Sequence, residues 1–114
     1  MANYKQKAEK LIKANQVFGG SLKSRNSLEY GLEMAERQRG TFKKAAFITR
    51  PMTNDHCFWD GNKRTASVAL LSDFKEKDYK ADKRKLVKTL INLSEKREAD
   101  INKIERSLRR CFKK

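Results

Sequence analysis

The sequence predicts an all-α fold, a compact single-domain helical bundle in which one loop rich in chemistry feeds a buried central helix. Three observations lead there. Apolar residues recur along most of the chain at the spacing of one helical face. Gly19-Gly20, Gly40 and Pro51, with short turn-forming stretches, cut that periodicity into helix-sized pieces. No β-branched alternation runs long enough to build a sheet.

Taken in order, Tyr4, Ala8, Leu11 and Ile12 mark a first helix that Gly19-Gly20 ends. Leu28, Leu32 and Ala35 mark a second, with Asn26 or Ser27 as its N-cap and Gly40 as its stop. Phe42, Ala45, Ala46 and Thr49 line a third, expected to break or kink at Arg50-Pro51 because proline disfavours helical geometry in the residue before it. Thr53 to Gly61 reads as irregular. The next helix holds Ala66-Ser67-Val68-Ala69-Leu70-Leu71, apolar on nearly every side and therefore expected in the middle of the bundle. Asp78 to Ala81 leaves room for a short extended piece. Asp82 caps a fifth helix through Leu86, Leu90 and Leu93, and Asp100 caps a sixth through Ile104, Leu108 and Cys111. Residues 1–114 thus form one domain, with a core at about 18–93 and a basic C-terminal helix over 100–114.

Composition narrows the function classes. The 114 residues carry 28 lysines and arginines against 14 acids, a formal +14. No apolar run is long enough to span a bilayer, and Met1-Ala2-Asn3-Tyr4-Lys5 carries no apolar signal-peptide core. Cys57 and Cys111 make no disulfide framework, so the expectation is reduced thiols in a cytoplasm. The excess of base invites a nucleic-acid reading.

The loop from His56 to Ala66 holds the only histidine and the only tryptophan of the chain. A loop entering a helix N-terminus presents unpaired N–H groups and the positive dipole end, an anion site. Gly61 lets the backbone approach a ligand closely, and Asn62 suits the same turn with an amide donor. Lys63 and Arg64 place charge where phosphate oxygens would lie, Arg64 in a geometry suited to two at once. Asp60, the one acid among these cations, is the hard oxygen ligand expected for Mg²⁺ beside phosphates. His56 stands as a general base. Phe58 and Trp59 read as core anchors, and Cys57 as small packing. Singly, each of these has a plainer structural reading. Their joint occurrence at a helix entrance favours the chemical one.

His56-x-Phe58-x-Asp60-Gly61-Asn62-Lys63-Arg64 resembles the signature of the Fic/Doc (Fido) family, H-x-F-x-[D/E]-G-N-x-R, and is closest in motif to Doc-type (death-on-curing) toxins. The resemblance extends more loosely over residues 18–93. It implies an enzyme that uses ATP and Mg²⁺ to modify a hydroxyl side chain of a target protein. His56 would then be the base and Asp60 the magnesium ligand. Gly61, Asn62, Lys63 and Arg64 would form the anion hole and phosphate clamp, with Phe58 anchoring the loop. Many AMP-transferring members carry glycine before the first arginine and a second arginine three residues after it. Lys63 and Ser67 stand at those places, as in Doc, which transfers the terminal phosphoryl group. Phosphoryl transfer is therefore favoured, with AMPylation by the same site as the alternative.

The resemblance also implies a target such as a translation factor and a toxin-antitoxin setting. Ser94 and Glu98 echo the [S/T]-x-x-x-E-[G/N] restraint of some members. Ala99 breaks that pattern and Ser67 removes the arginine it needs, so a separate antitoxin is the expected restraint. A non-catalytic basic nucleic-acid-binding module is the competing class, and a pseudoenzyme that only binds nucleotide or an antitoxin is a third. Against the module, residues 1–50 carry 11 bases and 4 acids and residues 51–114 carry 17 and 10, so the two parts contribute equally. Nucleic acid is therefore not favoured as a partner. Oligomeric state stays open.

Overall fold

A computed structural model describes residues 3–114; Met1 and Ala2, part of the start expected to carry no signal-peptide core, lie outside the described residues. Six helices account for most of them: α1 Tyr4–Val17, α2 Arg25–Glu36, α3 Thr41–Thr53, α4 Asn62–Glu76, α5 Lys83–Lys96 and α6 Ile101–Arg109. Strands β1, Lys80–Ala81, and β2, Phe112–Lys113, pair antiparallel with Lys80 opposite Lys113. The fold is all-α, as the periodicity implied.

Local chemistry sets most boundaries. Asn3 and Gln6 form a reciprocal capping box on α1. The cap of α2 is Ser24, not Asn26 or Ser27: its hydroxyl accepts from Ser27 N, and the helix begins one residue later. α2 ends at Glu36, and Gly40 is instead the N-cap of α3. Asp82 and Asp100 cap α5 and α6 as expected. The C-terminal helix stops at Arg109, because residues 112–113 turn back to pair with β1.

Pro51 does not end α3, which runs through it to Thr53. The cost of a missing N–H opposite Phe47 O is met by packing. Gly31 of α2 lies so close that a Cβ there would meet Pro51 Cγ at 2.6 Å and Phe47 O at 2.7 Å. The bare glycine backbone covers the site where the helix lacks its hydrogen bond.

The core threads Leu28, Met52, Phe58, Leu70, Phe74, Leu86, Leu90 and Leu108, all buried. Phe74 sits at its centre, stacked on Phe112 at 3.9 Å between ring centroids and edge-on to Tyr79. α4 packs against α1, α3 and α5, which makes it central, yet Val68 on its outer edge stays 42% exposed.

Candidate active site

The loop between α3 and α4 is built from backbone pairing and one side-chain clamp. Trp59 N donates to Ser21 O at 2.9 Å, and Lys23 N and Ser24 N both donate to Cys57 O, which aligns Leu22 and Phe58 as an antiparallel bridge. Asn62 then grips Phe58 at both ends. Its Nδ2 donates to Phe58 O at 2.8 Å and its Oδ1 accepts from Phe58 N at 3.1 Å. The amide expected as an anion donor is thus committed to shaping the loop. Phe58 is buried, as an anchor should be, whereas Trp59, expected in the core, is 68% exposed beneath Lys23 Nζ. Its partners are backbone atoms of a surface segment, so nothing draws the indole inward.

Gly61 is the N-cap of α4 with φ +72°, a left-handed conformation that glycine adopts without strain. No side chain caps this end. The first-turn N–H groups of α4 therefore open onto a pocket of about 270 Å³ lined by Phe18, Asp60, Gly61, Asn62, Lys63 and Arg64. Lys63 and Arg64 are exposed there and take part in no ion pair among the described residues. Asp60 is exposed as well, with Oδ1 accepting from Gly61 N at 2.8 Å and Oδ2 without a partner among the described residues. One carboxylate beside phosphate-binding groups suits Mg²⁺, which takes one or two protein carboxylates and the rest of its shell from substrate and water. The donor set fits that ion.

His56 stands apart from this lining. It has φ +50°, and its Nε2 lies 3.4 Å from Ser94 Oγ, contributed by α5. Glu98 falls beyond the end of α5 and its carboxylate accepts from Asp100 N, so it serves a local turn. Cys57 is fully buried, and burial, with a smaller contribution from Asp55, pushes its thiol up to about 12. It is packing, not a nucleophile.

Two features escaped the sequence reading. Asn15, fully buried on α1, donates Nδ2 to Asp60 O at 2.8 Å and to Thr65 Oγ1 at 3.1 Å. It fastens the loop to the first turn of α4. Its amide orientation is fixed, since the flipped form would set Oδ1 against the Asp60 carbonyl. The second is an apolar cleft of about 390 Å³ that shares Phe18, Lys63 and Arg64 with the pocket and continues along Val68, Val87 and Ile91. The exposed edge of α4 opens onto it.

A family model described as the Fic/DOC family matches residues 3–72. No curated protein matches the chain.

Proposed function

Because the chain belongs to the Fic/DOC family, a family of transferases that generally uses ATP with Mg²⁺, we propose that it moves the terminal phosphoryl group of ATP onto a hydroxyl of a target protein. The observation that carries this reading is the uncapped first turn of α4, ringed by Asp60, Lys63 and Arg64. Free N–H groups and two cations converge where a triphosphate needs them. Asp60 would hold magnesium, which when bound offsets charge on the phosphate oxygens. The adjoining apolar cleft offers a nucleobase a dry face.

In the transfer itself, His56 takes the proton from the target hydroxyl as its oxygen attacks the γ-phosphorus, and ADP leaves. Lys63 supports this outcome over AMP transfer: it is a point charge at a place where AMP-transferring relatives keep glycine. Ser67 supplies no second arginine clamp. The target reading, a translation factor, and the antitoxin reading rest on the Doc-like motif. The displacement of Glu98 from α5 supports external restraint.

Incubation with γ-labelled or α-labelled ATP, magnesium and cell lysate tests the reading, with His56→Ala as control. Label from the γ position alone, lost in the variant, is the expected result. Label from the α position assigns AMP transfer to the same site. Absence of both removes the enzyme reading.

A further inference from the structure

Along the sequence the charge divides evenly; in space it does not. The β1–β2 pairing brings the segment before α5 beside the one after α6 and forms an open hollow of about 680 Å³. One wall carries Lys80, Lys83, Arg84 and Lys85, and the other Arg110, Lys113 and Lys114. Asp82 is the single acid of the lining, and its carboxylate is occupied in capping α5. Seven cations against one acid put +6 of the net +14 around one concavity. All seven are exposed, and none has an ion-pair partner among the described residues.

The register makes this clustering costly. Lys80 lies directly opposite Lys113 in the two-residue ladder, and like charges facing each other across antiparallel strands destabilise the pair. The cations that do form ion pairs among the described residues, Arg25, Arg37, Lys43, Lys77 and Arg109, all lie outside the hollow. A self-repelling hollow is relieved by a polyanion. The lining also says which one. Its apolar members are only Ala81 and the buried Cys111, with no exposed aromatic or large aliphatic side chain. Protein partners dock on such anchors. A phosphate backbone needs only cations, and without a side chain to stack on bases there is no means to read sequence.

We propose that this hollow binds the sugar–phosphate backbone of a nucleic acid without reading its sequence. The site is independent of the phosphate pocket at α4 and of any transfer reaction there.

The test is fluorescence anisotropy with labelled double-stranded DNA and labelled single-stranded RNA across a salt series. Binding to both is expected, with a log–log salt slope of about −0.7 to −0.9 for each phosphate contacted. The variant Lys83→Glu/Arg84→Glu/Lys113→Glu is expected to lose about a hundredfold or more in affinity near 0.1 M salt and to flatten the slope by about two to three. The control Lys5→Glu/Lys13→Glu/Lys75→Glu changes net charge equally outside the hollow and is expected to lose far less. Lys113→Glu alone converts the facing pair into an attractive one, so it should raise the melting temperature while lowering affinity about tenfold. Equal losses in both triple variants overturn the proposal. So does poly-glutamate that competes as well as nucleic acid, which would make the hollow an acidic-peptide site, or Lys113→Glu that binds as the parent does.

Discussion

Asn15 Nδ2 donates to the backbone carbonyl of Asp60 across 2.8 Å, tying the last turn of α1 to the residue that begins the α4 entrance. The same nitrogen would lie 3.0 Å from a Cβ at Gly61. One amide therefore sets where the Asp60–Gly61 peptide sits and how the free N–H groups of α4 are aimed. Asn15→Asp keeps the shape and exchanges the donor for an acceptor. It is expected to weaken nucleotide binding at neutral pH by about tenfold or more and to regain part of it as the pH falls and the buried carboxyl, once protonated, donates again. Titration of a fluorescent ATP analogue at two pH values checks this. A pH-independent loss would make the role general packing.

His56 and Ser94 make a long contact, 3.4 Å, at the weak end of the hydrogen-bond range. Ser94→Ala is accordingly expected to keep the label-transfer rate within about threefold, whereas His56→Ala should abolish it. A hundredfold drop in Ser94→Ala would show instead that α5 orients the imidazole.

Gly31 is a packing glycine, so its replacement tests the α2–α3 contact directly. Gly31→Ala forces a Cβ into Pro51 Cγ and Phe47 O and is expected to destabilise the fold by about 1–3 kcal/mol. Denaturant titration reads this as a lower midpoint with an unchanged slope.

Glu105 bridges Lys43 at 2.9 Å and Arg109 at 2.8 Å. The Lys43 bond first, and Arg109 with it, hold its carboxyl below the ordinary carboxylate value. A carboxyl with a depressed folded pKa adds stability above its unfolded pKa, and that contribution is lost as pH falls through the folded value. Glu105→Gln should cost about 1 kcal/mol at neutral pH. Its melting temperature should converge on that of the parent in acid, and a gap that persists there would assign the effect to shape instead of charge.

Burial raises both cysteine thiols, Cys57 to about 12. Neither should react with iodoacetamide in the native protein at mildly alkaline pH, and both should react once it unfolds. Native-state alkylation of Cys57, read by mass spectrometry, would contradict its burial.

Helices were legible because each buries a stripe whose spacing is written in the chain, and because Asp82 and Asp100 announce their own starts. The motif loop was legible for a similar reason: Asp60, Gly61, Lys63 and Arg64 are neighbours in sequence and remain neighbours at the pocket. What could not be read depended on distant partners. Pro51 looks like a helix breaker until Gly31, from another helix, covers the unpaired carbonyl. Asn15 is an unremarkable helical polar residue until Asp60, 45 positions away, is placed against it. Trp59 looked like an anchor by composition, yet its backbone is held by Ser21 while its indole lies exposed under Lys23. The cation cluster was invisible to a count by halves, since β1 and β2 are joined by a register that no local pattern encodes.

Phe112 closes the aromatic centre by stacking on Phe74, and β2 locks β1 in place. During synthesis, residue 74 leaves the ribosome well before residue 112. The pocket at the start of α4 and its loop are therefore fully translated while the core behind them is still open. The packed frame waits on residue 112, so a nascent chain that stops short of it carries the motif without the frame that aims it.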